Sequence, residues 1–199
     1  MKKIILIVLI SGFLGFLLVL PVNYALDKTS DSDFCVSCHE MTPMVLAYKS
    51  DVHGGNNAKG VKARCVDCHI PHDNLAKYVL TKAKNGIVEG YIHFTKNVDE
   101  INWHEKRKNR GNFVYDNGCM SCHSKILNNT LSSFKAQQMH EHYVKLKDTK
   151  EALACANCHI EVGHNELNNI LNYYKPKYEI YNKKAAIKKE ELEKDLRND

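Results

Sequence analysis

All eight cysteines of the chain occur in four copies of one short motif, Cys-x-x-Cys-His. Two thiols at this spacing can each add to one vinyl group of a single haem, while the adjacent imidazole coordinates the iron. The sequence therefore predicts four covalently bound haem c groups. The attachment residues are Cys35, Cys38, Cys65, Cys68, Cys119, Cys122, Cys155 and Cys158, and the motif histidines are His39, His69, His123 and His159.

Two other uses of paired cysteines explain the pattern less well. A disulfide scaffold also has an even cysteine count, but it gives no reason for a histidine after every second cysteine. Paired Cys-x-x-Cys units can form a tetrahedral zinc site, yet all four units here carry the same trailing histidine. Haem attachment accounts for every cysteine and for the histidine beside it.

The composition favours a fold whose core is filled by these large apolar groups. Apolar residues are concentrated near the N-terminus, and the remainder is rich in Lys, Asn, Asp and Glu. We therefore expect a mainly α fold with much irregular loop, wrapped around the haems. The formal charge of +5 is offset by about eight haem propionates, so we expect no nucleic-acid binding.

An apolar run at the N-terminus predicts a membrane anchor. It extends from Ile4 to Leu20 and continues past Pro21 to Leu26, which reaches the roughly 20 residues that span a bilayer. Lys2 and Lys3 predict a cytoplasmic N-terminus. A cleavable signal is the alternative, but its apolar stretch is usually shorter, about 7–15 residues. Both interpretations place the rest of the chain outside the cytoplasm, as haem attachment requires.

Three regions follow from these patterns. Residues 1–26 are predicted to be a single transmembrane anchor in the bacterial inner membrane, and residues 27–165 a tetrahaem cytochrome c domain in the periplasm. Residues 166–199 are predicted to be a charged helical tail, because Lys and Glu are interspersed from Asn182 to Asp199 at spacings that support a helix.

Residues 1 to 165 resemble the NapC/NirT/NrfH family of tetrahaem quinol dehydrogenases. The resemblance rests on the anchor, the four motifs and the segment from Cys35 to Met41, Cys-Val-Ser-Cys-His-Glu-Met. Further matching segments are Gly60-Val-Lys-Ala-Arg-Cys65, the His-Ile-Pro-His run that ends at His72, and the stretch from Cys158 to His164.

The resemblance implies axial ligands beyond the motif histidines. Met41 is expected to bind the first haem iron in place of His39, and a Met ligand raises a haem's potential. For the opposite positions on the other haems, seven histidines remain: His53, His72, His93, His104, His140, His142 and His164. The family favours His53 and His140, then His164 and His72. The second haem's sixth ligand can come from this chain or from a partner protein.

The resemblance also implies a quinol site beside the first haem. It consists of a lysine and an acidic residue seven positions later, which Lys82 and Glu89 match, with Lys77 and Lys84 as alternative lysines. Quinol oxidation releases protons with its electrons, so a carboxylate could accept a proton while the lysine orients the head-group oxygen. On an isolated helix such a pair is more often merely solvated.

We therefore expect a quinol-oxidising electron-transfer subunit without terminal reductase activity of its own. Menaquinol would be the donor, and an exported reductase, preferably cytochrome c nitrite reductase, the acceptor within a higher-order complex. Nitrate or trimethylamine oxide reductase is the alternative acceptor. A tethered electron relay without a quinol site, or an enzyme that reduces a small ligand at an open iron position, are the competing hypotheses.

Overall fold

The computed structural model describes residues 1–127 and 133–180, and it is mainly helical, as predicted. Ten α-helices and five short 3-10 helices occur in these ranges, and no β-strand does. The helices are α1 (Lys2–Lys28), α2 (Ser32–Cys35), α3 (Thr42–Lys49), α4 (Cys65–His69), α5 (Leu75–Thr95), α6 (Trp103–Lys108), α7 (Asp116–Cys122), α8 (Phe134–Leu146), α9 (Cys155–Cys158) and α10 (Leu167–Tyr174).

Helix α1 is long and apolar enough to cross a membrane. Its 27 residues rise about 40 Å, compared with about 30 Å for the hydrocarbon layer. None of its side chains is buried, and the helix continues through Pro21. It ends at Lys28, two residues beyond the predicted limit of the anchor.

The aliphatic core of the described residues is small and lies between α3 and α10. Met44, Leu46 and Ala47 on α3 pack against three residues of α10, of which Leu171 is fully buried. Residues 167–174 were predicted as part of a charged tail, but their apolar face instead closes this core. Residues 181–199 of that predicted tail lie outside the described residues.

Helix α5 is the longest helix outside the anchor, and it runs without a break from Leu75 to Thr95. Its N-terminus is capped by Asn74, whose side chain accepts a hydrogen bond from the Lys77 amide at 2.9 Å. Such a cap satisfies one of the unpaired amides of the first turn. Gly86 and Gly90 both lie within the helix, so α5 can present one continuous face to the first motif.

Each of the four motifs overlaps a short helix. Helix α2 ends at the first cysteine of its motif, while α4 contains the whole second motif, α7 ends within the third and α9 spans both cysteines of the fourth. Helices of four to seven residues are marginal by themselves. Contacts between motifs therefore have to hold them in place.

Candidate haem-binding site

The four motifs are in contact in the order of the sequence. An interaction with Cys65 lowers the pKa of the Cys35 thiol, so the first and second motifs touch. A hydrogen bond from Cys155 lowers the pKa of Cys119 to about 7, so the third and fourth motifs touch as well. These contacts place the attachment points of neighbouring haems side by side.

Helices α4 and α7 connect the second motif to the third through their backbones. The Tyr115 amide donates a hydrogen bond to the Cys68 carbonyl at 2.9 Å. At Gly118 the approach is so close that an added Cβ would lie 2.0 Å from the Asp67 carbonyl oxygen. Only glycine fits this position without moving one helix, so Gly118 sets the separation of the two motifs.

Asp116 connects the third and fourth motifs. One carboxylate oxygen accepts a hydrogen bond from the Cys155 amide at 2.8 Å, and the other accepts one from the Tyr143 hydroxyl at 2.8 Å. Burial and this hydrogen bond raise the pKa of Tyr143. Asp116 therefore joins α7, α8 and α9 in one network.

Every motif histidine faces a second histidine at nearly the same separation. Ring centroids are 6.2 Å apart for His39 and His93, 6.1 Å for His123 and His53, 6.2 Å for His69 and His164, and 6.3 Å for His159 and His140. A metal–imidazole bond of about 2.0 Å on each side of one ion gives a centroid separation of roughly 6.2 Å. The four pairs thus have the geometry that a six-coordinate haem iron requires.

Hydrogen bonds orient the imidazoles of three of the facing histidines through Nδ1. That atom of His53 lies 2.9 Å from an Asp51 carboxylate oxygen, and that of His164 lies 3.0 Å from the Met44 carbonyl oxygen. His93 contacts a carboxylate oxygen of Glu40 at 2.8 Å in the same way. With Nδ1 engaged, Nε2 is the nitrogen left for a metal, which is the usual arrangement at metal-ligating histidines.

The second motif and its facing histidine are half-buried. His69 directs Nδ1 at the Phe113 carbonyl oxygen, 2.7 Å away, and burial lowers its pKa. Burial, with the nearby His69 adding to it, lowers the pKa of His164 to about 4. Both imidazoles are therefore neutral at physiological pH, the form that binds a metal.

Two of the sequence-predicted ligands lie elsewhere. His72 directs Nε2 at the Val66 carbonyl oxygen, 3.3 Å away, and its ring lies edge-to-face with Tyr78. Met41 packs against the apolar cluster of α3 and α10. Sequence reasoning kept His93 only as one of seven spare histidines, although the structure places it opposite the first motif.

Lys82 joins α5 to the membrane end of the chain. Its Nζ donates hydrogen bonds to the Leu26 carbonyl oxygen at 2.7 Å and to the Ser30 hydroxyl at 2.6 Å. Partial burial, and then the charge of Arg64, lower the pKa of Lys82. The predicted quinol-site lysine therefore lies where α1 ends.

Glu89 lies on the same face of α5, two turns after Lys82. Partial burial, and then the negative charge of Glu40, raise the pKa of Glu89. The charges of both Lys82 and Glu89 also act on the Cys35 thiol, which brings the predicted pair close to the first motif. A carboxyl group with a raised pKa binds a proton more readily than an ordinary carboxyl group does, as a proton acceptor should.

Known proteins are similar to this chain over most of its length. The model of the NapC/NirT cytochrome c family, N-terminal region, matches residues 1–169. The cytochrome c-type protein NapC of Escherichia coli K12 is 31% identical over 166 residues, which is 78% of this chain and 80% of NapC. The tetraheme c-type cytochrome CymA of Shewanella oneidensis is 31% identical over 177 residues, covering 82% of this chain and 91% of CymA.

One solved structure shares the fold. A chain of the cytochrome c nitrite reductase NrfHA complex, bound to the inhibitor HQNO, superposes with a TM-score of 0.50 at 24% identity, over 80% of this chain and 90% of the other. This likeness agrees with the family match over residues 1–169 and with the four Cys-x-x-Cys-His motifs. The chain is a c-type cytochrome that belongs to the NapC/NirT family.

Proposed function

We propose that this protein is a membrane-anchored tetrahaem cytochrome c that oxidises menaquinol and delivers the electrons to an exported terminal reductase. The main support is the set of motif histidines that each face a second histidine at 6.1–6.3 Å. Bound haem supplies one-electron redox chemistry. The chain holds the haems, fixes their axial ligands and brings quinol to them.

The proposed distal ligands are His164 for the haem of the second motif, His53 for that of the third and His140 for that of the fourth. Each faces the motif histidine at the separation required for one iron between them. Because His164 can occupy the sixth position on the second haem, a ligand from a partner is not needed there.

Lys82 and Glu89 are the proposed quinol site. Lys82 lies beside the end of the anchor helix, where a quinol head group could leave the bilayer, and Glu89 has the raised pKa of a proton acceptor. Helix α1 would hold this end of the domain at the outer surface of the inner membrane, with the haem domain in the periplasm. The ammonium group of Lys82 would orient the quinol head group. The carboxylate of Glu89 would accept a proton that the quinol releases on oxidation.

Cytochrome c nitrite reductase is the favoured acceptor. The solved structure that shares this fold comes from a nitrite reductase complex, and the sequence resemblance includes that branch. NapC is among the relatives by sequence, so the reductase served by NapC-type cytochromes is the alternative. A tethered relay without a quinol site remains the rival from a different functional class.

Reduction of the purified, detergent-solubilised protein by a menaquinol analogue tests the proposal. Haem absorbance would be followed with time and calibrated against complete reduction by dithionite. We expect rapid reduction of the wild type, and a rate at least tenfold lower for Lys82→Ala and Glu89→Gln at unchanged haem content. Lys96→Ala, at the exposed residue that caps the C-terminus of the same helix, is the matched control and should keep the wild-type rate.

Equal quinol rates in the wild type and both variants would remove the proposed site and favour the relay. The absence of quinol reduction in the wild type, with normal reduction by dithionite, would do the same. To identify the acceptor, the quinol-reduced protein would be mixed with purified cytochrome c nitrite reductase. If the haems stay reduced after nitrite is added to this mixture, cytochrome c nitrite reductase is excluded as the partner.

A further inference from the structure

We propose that His93 is the distal axial ligand of the first haem, held by Glu40, and that Met41 is a packing residue. The first haem would then have two histidine ligands, His39 and His93, like the other three. This inference rests on haem attachment at the first motif, which is part of the proposed function. It differs from the sequence expectation, which placed Met41 on this iron.

The separation of the two rings is the first observation. The centroids of His39 and His93 are 6.2 Å apart, within the 6.1–6.3 Å range of the other three pairs. Those three pairs come from other helices and loops, so no shared local geometry enforces the common value. A common value is expected if one iron atom fits between the two rings of each pair.

The surroundings of His93 are the second observation. A nitrogen of His93, an oxygen of Glu40 and the sulfur of Cys38 all lie within 4.8 Å of one another. Cys38 is an attachment point of the first haem, so the His93 ring lies where that haem must be. Its position on α5, the helix that also carries Lys82 and Glu89, places it at the haem nearest the proposed quinol site.

Glu40 is a positioning residue for His93. It lies between the motif histidine His39 and Met41 in the sequence, yet its side chain is buried, with a relative exposure of 9%. Its Oε1 lies 2.8 Å from Nδ1 of His93, as an Asp51 oxygen lies 2.9 Å from Nδ1 of His53. A carboxylate on Nδ1 fixes the ring and increases the basicity of Nε2, so two of the four facing histidines share this arrangement.

Met41 has a different environment. It packs against the cluster formed by α3 and α10, whose members include Met44 and Leu171. A thioether is a good filler for an irregular apolar gap. The structure therefore gives Met41 a packing role that needs no iron.

The test uses the full-length, haem-loaded protein in detergent and reads the spin state by electron paramagnetic resonance and near-infrared magnetic circular dichroism. Haem content is measured first, by the pyridine haemochrome method and by intact mass. The wild type should contain four haems, all low-spin, without the charge-transfer band of a methionine–iron bond. In His93→Gly, one quarter of the haem should become high-spin, and added imidazole should restore the low-spin form.

Five further variants separate coordination from a structural role. Met41→Leu should leave the spin states unchanged, and His72→Ala is the matched control for loss of a spare histidine. His93→Met should gain a methionine–iron band on one haem, which keeps the test decisive if His93→Gly fails to mature. Glu40→Gln keeps an acceptor for Nδ1 but loses the negative charge, whereas Glu40→Leu loses both, so both should raise the reduction potential of one haem and the second should raise it more.

A methionine–iron band in the wild type, lost in Met41→Leu, would overturn the inference. An unchanged low-spin fraction in His93→Gly at full haem content would also overturn it. Neither result would decide the quinol assay with the Lys82 and Glu89 variants, because that assay measures reduction rates and not haem ligands. Failure of quinol reduction with the expected spin states would instead reject the proposed function alone.

Discussion

Truncation of Leu171 to alanine should destabilise the protein and loosen the ligand of the second haem. Leu171 is fully buried in the small core between α3 and α10. Removing three buried carbon atoms from such a site usually costs about 2–5 kcal/mol, and the upper half of this range is expected where few neighbours can move into the cavity. The α3–α10 contact is the main aliphatic cluster of the described residues, so little else can compensate.

The same contact positions His164. The Asn165 amide donates a hydrogen bond to the Ala47 carbonyl at 3.1 Å, and Nδ1 of His164 contacts the Met44 carbonyl oxygen at 3.0 Å. If α10 moves away from α3, His164 loses this support. Leu171→Ala should therefore also increase the high-spin fraction of one haem.

Guanidinium unfolding of the haem-loaded protein, followed by helical circular dichroism, measures the first effect. With a slope of about 4 kcal/mol per molar for a chain of this size, a loss of 2–5 kcal/mol lowers the midpoint by roughly 0.5–1.2 M. Leu75→Ala, at a site with 75% relative exposure, is the control and should shift the midpoint by less than about 0.2 M. Equal shifts for the two variants would show that the α3–α10 core does not support the domain.

Three more predictions concern single residues. The pKa of Glu89 is raised, and below its pKa the carboxyl group is protonated and cannot accept another proton. The rate of quinol oxidation should therefore rise as the pH increases through the pKa of Glu89. Stopped-flow pH profiles of Glu89→Gln should lack this rise. Gly118→Ala places a Cβ against the Asp67 carbonyl, so haem stoichiometry by intact mass should fall below that of Gly86→Ala, where the added Cβ meets open space. Tyr143→Phe removes the hydrogen bond to Asp116 and should lower thermal stability by about 1 kcal/mol; an unchanged melting temperature would contradict this.

The sequence was sufficient for the main features of the fold. Eight cysteines in one repeated motif predict a haem-filled helical domain, and the apolar run from Ile4 predicts α1. Both predictions depend on local patterns, which need no knowledge of distant contacts.

Pairing of the histidines required the structure, because the partners are far apart in sequence. His164 follows the last motif yet faces His69 of the second, and His53 precedes the second motif yet faces His123 of the third. His93 could have been identified from spacing, since it lies four residues after Glu89 and on the same face of α5 as Lys82. The buried role of α10 was obscured by the charged residues that follow it.

Some motif histidines face a histidine from a distant part of the sequence, and this has a consequence for the order of haem maturation. If the haem domain follows the anchor helix across the membrane, as proposed, His69 emerges long before His164, the residue that faces it. A haem attached at the second motif during export would therefore keep one exchangeable coordination site until the segment ahead of α10 has emerged. Attachment enzymes would have to shield that site from stray ligands and oxidants, so maturation of the second haem is expected to finish last.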